Sequence, residues 1–316
     1  MLNSLTRLSP CLLLVVVALA SCSKAPRVTV DPPVVIDTPK TLFNLDSLPR
    51  EISNRFTFTE GASVDKDGNV FFVDQPNSQI WKYATNGTLS LFMDHSGYSN
   101  GMFIDKDGKL IACADEHNEL WEIDIATHAV KVLVTNYMGK LLNGPNDVWV
   151  HPNGTIYFTD PFYARAWWTR VKKTQLTSEG VYYLPAGAAT PVELVDTLKK
   201  PNGILGTPDG KFLYVADISA NLTYKYTINA DGKLSNAKLF CRDGSDGMAL
   251  DNFGNLYLTN GNDGVHVYNT KGEKVITIPV PKIPSNVCFS GKDKNILFIT
   301  ARQSIYTLKM NVKGVE

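Results

Sequence analysis

The stretch EGASVDKDGNVFFVD at residues 60–74 decides the fold, because its plan recurs along the chain. A polar residue precedes a short apolar run, a Gly or its equivalent follows eight positions after that polar residue, and a second apolar run comes next. The second copy, NGMFIDKDGKLIACA, occupies residues 100–114. The copies open 40, 46, 56, 44 and 40 residues apart, at Glu60, Asn100, Asn146, Asn202, Asp246 and Asn286. A repeat of this period, made of short strands, is typical of a propeller blade.

The runs between the repeats also indicate strands. Apolar and aromatic segments of four to six residues alternate with Asp-Gly and Asn-Gly turns, and no segment shows a sustained helical period. The sequence therefore predicts an all-β protein, a six-bladed β-propeller with four-stranded antiparallel blades, over residues 41–316. The sixth copy ends before it has four strands, so we expect the N-terminal segment near Thr41–Leu45 or Arg55–Phe58 to supply the missing one.

The first 40 residues have a different composition. Residues 1–22 combine Arg7 with the apolar run Leu12–Ala20, which is the pattern of a signal peptide and is too short to span a bilayer. Leu19-Ala20-Ser21-Cys22 resembles a bacterial lipobox, which favours a lipoprotein signal over an ordinary secretory one. We expect lipidation of Cys22, a Pro-rich tether over residues 23–40, and a cell-envelope location at the outer membrane, facing the periplasm.

Composition excludes several function classes. The 31 basic and 31 acidic residues cancel, and no basic run is present, so nothing indicates a nucleic-acid partner. The chain has no Gly-x-Ser-x-Gly elbow and no His-Glu-x-x-His zinc motif. Nothing in the sequence indicates an oligomeric state.

The openings of the repeats predict a shared site, because a propeller brings equivalent positions together around one axis. Glu60, Asn146, Asn202 and Asp246 would then form an all-oxygen set, with two carboxylates to match a divalent charge. Hard cations such as Ca²⁺ prefer these ligands, and another divalent cation would also fit. The alternative is that each Asn or Asp before a Gly bonds its own backbone at a turn.

The longest interval, between the third and fourth openings, contains an insertion. It begins with the aromatic segment at residues 161–168, PFYARAWW, and continues as a basic, polar stretch to Gly180. Tyr163, Trp167 and Trp168 are therefore candidates for a substrate-binding lid or stacking surface. The alternative is that these rings pad a long loop against the end of the propeller.

These motifs, in this order, resemble the senescence marker protein/gluconolactonase family of six-bladed calcium propellers over about residues 50–310. The segments that carry the resemblance are Glu60-Gly61, Asn143–Asp147, Phe158–Pro161, Pro201-Asn202-Gly203 and Asp246–Asp251. Pro-Asn-Asp followed by Phe-Thr-Asp-Pro resembles the microbial gluconolactonase branch most.

The resemblance implies roles for individual residues. Glu60, Asn146, Asn202 and Asp246 would be metal ligands, and Asp246 would also be the general base. Asn100 would contact the substrate or a bound water. The lactonases often carry Cys-x-His after the second strand of blade 2, whereas this chain has Cys113-Ala114-Asp115-Glu116-His117, so His117 is a substrate-binding candidate at an altered spacing.

The predicted function is metal-dependent hydrolysis of a sugar lactone, similar to gluconolactone, or of a related cyclic ester. The metal would polarise the carbonyl, and Asp246 would activate water. One alternative is a phosphotriester or aryl-ester hydrolase that uses the same site. The other is a propeller lipoprotein that binds a ligand without catalysis.

Overall fold

The structure, a computed structural model, describes residues 41–170 and 172–315. The signal peptide and tether expected over residues 1–22 and 23–40 lie outside these ranges. The described chain forms six four-stranded antiparallel sheets, which confirms the predicted six-bladed β-propeller. Its helical segments are three single 3₁₀ turns, Gln75–Asn77, Asp115–His117 and Gly261–Asp263. Within the described ranges, no helix is both long and apolar enough to cross a membrane.

Each blade runs from an inner strand at the channel to an outer strand at the rim. The strands of blades 1 to 3 are β2 (Thr59–Val64), β3 (Val70–Asp74), β4 (Gln79–Tyr83), β5 (Leu89–Asp94), β6 (Ser99–Ile104), β7 (Lys109–Ala114), β8 (Glu119–Asp124), β9 (Val130–Val134), β10 (Val148–Val150), β11 (Ile156–Asp160), β12 (Gly180–Leu184) and β13 (Val192–Val195). Those of blades 4 and 5 are β14 (Pro201–Gly206), β15 (Phe212–Asp217), β16 (Leu222–Ile228), β17 (Leu234–Cys241), β18 (Met248–Leu250), β19 (Leu256–Asn260), β20 (Gly264–Tyr268) and β21 (Lys274–Ile278).

Blade 6 is completed by the N-terminal part of the chain. Its own strands are β22 (Pro284–Ser290), β23 (Ile296–Ala301) and β24 (Ser304–Lys309), and β1 (Arg50–Ser53) pairs antiparallel with β24 as the outer strand. The expectation that an N-terminal segment closes the ring is therefore confirmed, but neither segment named for it was right. Residues 55–58 lead into blade 1, and Phe43 makes only an isolated bridge to Met310.

Burial follows strand position in the blade. Every residue of the inner strand β2 and of the second strand β3 is buried, because both faces of each blade pack against a neighbouring blade. The outer strand β9 is mostly exposed. The largest buried side chains in the second strands are aromatic, among them Phe71, Tyr157 and Tyr257. These strands read as continuous apolar runs because neither face meets water.

The polar openings of the repeats lie close together around one end of the channel, because each blade contacts the next at this level. The contacts are Gly61 against the Asn100 carbonyl, Gly101 N to Asn146 O (2.6 Å), Ile204 N to Asp147 Oδ2 (3.1 Å), Gly203 N to Ser245 O (3.2 Å), Gly247 against the Asn286 side chain, and Ser285 Oγ to Thr59 O (2.6 Å). They link all six blades in a closed circle. We call this circle the opening ring.

Gly61 shows why glycine follows the polar residue. It has a φ of +57°, and an added Cβ would lie 2.0 Å from the Asn100 carbonyl oxygen. A side chain would therefore be disfavoured by the backbone conformation and would also push two blades apart.

We expect Gly61→Ala to destabilise the protein more than Gly87→Ala. Gly87 also has a positive φ (+87°), but an added Cβ there meets nothing within 4 Å. Both variants carry backbone strain of about 1 kcal/mol, and Gly61→Ala adds overpacking of about 1–3 kcal/mol. Denaturant unfolding would measure the difference, and equal losses in the two variants would contradict the close approach.

Candidate functional site

Two carboxylates from distant blades meet at the opening ring. Glu60 is buried within β2, and Asp246 lies two residues before β18 and keeps partial exposure. Burial and the negative charge of Asp246 raise the pKa of Glu60 well above its usual range. Burial also raises the pKa of Asp246, although Arg165 and hydrogen bonds from Asn202 and Glu60 favour its ionised form. A cation bound beside this pair would favour the ionised form of both carboxylates.

Asn202 connects this pair to the aromatic insertion. Its Nδ2 donates to the Tyr163 hydroxyl at 3.1 Å, and its side chain also hydrogen-bonds Asp246. Its Oδ1 is buried without a hydrogen-bond partner among the residues that the structure describes. A buried unpaired acceptor costs about 1–3 kcal/mol, so this oxygen is suited to a bound cation or ligand.

Asn146 is buried at the same level, just before β10. Its backbone N donates to Thr159 O at 2.9 Å, and the Thr159 hydroxyl donates to Asn202 O at 2.7 Å. Thr159 therefore holds the Asn146 and Asn202 backbones on either side of itself. The fourth predicted ligand thus lies on the same ring as the other three.

The donor set fits a hard cation. It consists of two carboxylates and two amides, with an unpaired Asn202 oxygen and a buried like-charge pair among them. Within residues 41–170 and 172–315, no group of three or more His, Cys, Asp or Glu side chains could hold a metal ion.

Two other polar residues at this level, Asn286 and Asp147, hydrogen-bond backbone. Asn286 Oδ1 accepts from Val287 N at 2.8 Å, and its carboxamide lies against Gly247. Asp147 accepts backbone N–H groups of Val148 and Ile204, and burial raises its pKa to about 7. At Asn286 and Asp147, the contacts therefore support the alternative interpretation, in which the polar side chain hydrogen-bonds backbone. Asn100 is buried in β6, where its carbonyl meets Gly61.

The aromatic insertion is fastened to blade 2. Trp168 Nε1 donates to Asp115 Oδ2 at 3.2 Å, and Thr169 N donates to Glu116 Oε1 at 2.7 Å. The Trp168 ring is buried beneath the Arg170 guanidinium, 3.5 Å from the ring centroid, so it packs the loop down. Tyr163 and Trp167 keep partial exposure and stay candidates for substrate contact.

His117 lies apart from these groups. Its side chain is exposed, and its ring packs against Trp121 with the centroids 5.4 Å apart. None of its described contacts reaches Glu60 or Asp246. The neighbouring Asp115 and Glu116 make the contacts to the insertion instead.

Sequence reasoning missed Arg165 as a site residue. Its guanidinium lies 4.7 Å from the Tyr163 ring centroid, and its charge favours the ionised forms of both Glu60 and Asp246. Arg302, before blade 6 closes, acts on Asp246 in the same direction. The sequence signal for Arg165 was the presence of a basic residue between Tyr163 and Trp167 in the insertion. No sequence signal indicated Arg302.

The channel beneath the ring is nearly filled. A cavity of ≈ 50 Å³ remains there, lined by Ala62, Met102, Val148, Ile204 and Met248 among others. A larger cavity of ≈ 540 Å³ lies at the other end of the channel, among the Asp-Gly turns and Trp149. It is far along the inner strands from the carboxylate pair, so it does not belong to this site.

Comparisons with known proteins agree with this geometry. Residues 58–303 match the family model described as SMP-30/Gluconolactonase/LRE-like region. The chain is 27% identical over 294 residues to a gluconolactonase of Zymomonas mobilis, covering 83% of this chain and 81% of the relative.

Two solved structures are also similar to this chain. One is an X-ray structure of a protein assigned to the gluconolactonases from its family. It is 30% identical, with a TM-score of 0.81, and the match covers 87% of this chain and 96% of that chain. The other, a Xanthomonas campestris gluconolactonase, has 26% identity and a TM-score of 0.77, covering 82% and 88%.

We expect the stability of the cation-free protein to fall between about pH 4 and pH 7. Burial raises the pKa of Asp115 and Asp160 from 3.8 to about 7, so the folded protein holds protons that the unfolded chain has released. The stability contributed by these groups is present below pH 4 and is lost as pH rises through their folded pKa.

Denaturant unfolding at a series of pH values, with chelator present, would measure this slope. Asp160→Asn should flatten it. Asp209→Asn should leave it unchanged, because hydrogen bonding to Thr207 lowers the pKa of Asp209 to about 2 and its titration is complete below this range. A slope unaffected by Asp160→Asn would contradict the assignment.

Proposed function

Because this chain belongs to the SMP-30/gluconolactonase/LRE-like family, we propose that it is a calcium-dependent lactonase that opens a sugar lactone similar to gluconolactone. Its curated relative in Zymomonas mobilis is a gluconolactonase, which supports lactone hydrolysis as the reaction class. The observation that carries the proposal for this chain is the meeting of Glu60, Asn202 and Asp246 at one end of the channel.

The proposed cation ligands are Glu60, Asn146, Asn202 and Asp246. Two carboxylates balance the charge of Ca²⁺, and the unpaired Asn202 Oδ1 supplies a neutral oxygen. Bound there, the cation would polarise the ester carbonyl as a Lewis acid. The same charge would remove the cost of holding two ionised carboxylates together.

Asp246 is the proposed general base. It is the partly exposed member of the carboxylate pair, so water can reach it, and burial moves its pKa upward from that of a free Asp. It takes a proton from water as the water oxygen attacks the acyl carbon. The acyl–oxygen bond then breaks, the proton passes to the departing ring oxygen, and a hydroxy acid results.

The insertion supplies the rest of the substrate pocket in this proposal. Tyr163 is held by Asn202 at 3.1 Å, so its ring stands directly beside the proposed ligands. Trp167 adds to the aromatic surface, with its ring centroid 5.8 Å from the Arg165 guanidinium. A sugar ring would lie beside these aromatic side chains with its acyl carbon toward Asp246.

A cell-envelope location is a separate proposal that rests only on residues 1–40. The lipobox-like Leu19–Cys22 supports a lipid anchor at Cys22, with residues 23–40 as tether. Labelling cells with a radioactive fatty acid tests it, and label retained by Cys22→Ala would contradict it.

We expect Asp246→Asn to lower kcat/KM for gluconolactone by roughly 10²–10⁴-fold, the usual contribution of a general base. Asp107→Asn, at an exposed turn, is the matched control. The assay follows acid release with and without chelator, and includes phenyl acetate and a phosphotriester. Unchanged turnover in Asp246→Asn would refute its role, and turnover of only the last two substrates would favour the alternative hydrolase.

We expect calcium to raise the midpoint of thermal unfolding of the native protein, because a ligand that binds only the folded state stabilises it. Glu60→Gln should abolish most of this shift, since it removes one of two anionic ligands. Titration calorimetry with CaCl₂ gives the affinity directly. Equal calcium binding by both proteins would show that the cation lies elsewhere.

A further inference from the structure

Arg165 is held in a fixed place because the insertion that carries it is fastened along its length. Beyond the Trp168 and Thr169 contacts, Phe162 N donates to Glu179 Oε2 at 3.1 Å, and Arg170 Nη2 donates to Asn143 O at 2.7 Å. Gln175 Oε1 accepts from Leu141 N at 2.8 Å. The insertion therefore behaves as a docked wall of the site.

Arg165 is ion-paired with the buried Asp115 and lies against aromatic rings. Its Nε lies 3.5 Å from Asp115 Oδ2, and its guanidinium lies 5.8 Å from the Trp167 ring centroid as well as over Tyr163. Lys200 Nζ lies 4.5 Å from the same Tyr163 ring. Two basic side chains, Arg165 and Lys200, therefore contact the ring of Tyr163, whose hydroxyl contacts Asn202.

Two of the unpaired polar atoms at this wall are donors. Arg165 Nε and Trp167 Nε1 are both buried and have no hydrogen-bond partner among the described residues. Asp115 does not complete the Arg165 Nε hydrogen bond, and its Oδ2 already accepts from Trp168 and Gln75. One unpaired guanidinium N–H and one unpaired indole N–H match a group that only accepts hydrogen bonds, and an ionised carboxylate is such a group.

Tyr163 connects the proposed reacting centre to Arg165. Asn202, a proposed ligand, hydrogen-bonds the Tyr163 hydroxyl, and Arg165 lies over the ring of the same Tyr163. A substrate whose acyl carbon lies near Asp246 would therefore carry its far end past Tyr163 to Arg165.

Resting on the proposed lactonase function, we infer that Arg165 is a specificity-determining residue that binds a carboxylate at the far end of the substrate, so that the substrate is a sugar lactone bearing an acid group. Trp167 Nε1 donates to the same carboxylate. The charge of Arg165 also favours the ionised Glu60 and Asp246 carboxylates.

The test compares two five-membered lactones that differ only at the far carbon: D-glucarolactone, which carries a carboxylate, and D-gluconolactone, which carries a hydroxymethyl group. The wild-type protein should have the higher kcat/KM for D-glucarolactone. Arg165→Met should lower that preference by about 10-fold, the value of a charge-assisted hydrogen bond, mainly through KM. Arg165→Lys should retain part of it, and Lys173→Met, an exposed position in the same insertion, should retain all of it.

A loss in Arg165→Met that is equal for both lactones would overturn the inference, because it would show that Arg165 acts only on the carboxylate pair. Binding separates this outcome from failure of the proposed function. If the wild type hydrolyses neither lactone, calorimetry with D-glucarate and D-gluconate, which differ only at the far carbon, in the presence of CaCl₂ still decides. Tighter binding of glucarate that Arg165→Met removes supports the inference, and equal binding or no binding of the two overturns it.

Discussion

The close contact of the blades at the opening ring is the constraint on which the rest of the structure depends. Each inner strand begins where the next blade presents a backbone or short side chain, and at Gly61 the gap to Asn100 leaves no room for a Cβ. Hydrogen bonds such as Gly101 N to Asn146 O (2.6 Å) complete the circle. The polar residue before each glycine is thereby brought to the channel mouth, whatever its distance in sequence.

Bringing these polar residues together at the channel mouth has an electrostatic cost. Glu60 and Asp246 are brought together in a place where burial disfavours both charges. The described chain offsets part of that cost with Asn202 and with two guanidiniums, Arg165 and Arg302. A divalent cation would offset more of it, which would couple the stability of the ring to the occupancy of the proposed site. The carboxylate pair thus relates the fold directly to the proposed chemistry.

The sequence predicted the architecture because the repeat is local. The repeat at residues 60–74 corresponds to the inner and second strands of blade 1, and the repeat at 100–114 corresponds to those of blade 2. The closing strand was placed wrongly, since Arg50–Ser53 has no stronger apolar pattern than its neighbours and only the position of β24 selects it. For the same reason, pattern alone did not separate Asn202, which has an unpaired oxygen, from Asn286, whose oxygen bonds Val287.

The insertion was the least predictable part, because its roles depend on what it docks against. Among its aromatic residues, Trp168 is buried under Arg170 while Tyr163 reaches Asn202, and no spacing rule distinguishes them. Asp115 and Glu116 receive the loop, whereas the nearby His117 is exposed and packs against Trp121. These contacts join segments more than 50 residues apart, so only the three-dimensional arrangement shows them.

The central claim is that distant oxygens share one cation at the channel mouth. Anomalous diffraction from crystals soaked in a lanthanide, used as a calcium substitute, tests it most directly. The account predicts one strong peak enclosed by the side-chain oxygens of Glu60, Asn146, Asn202 and Asp246. A peak elsewhere on the propeller, with none between these four residues, would contradict it.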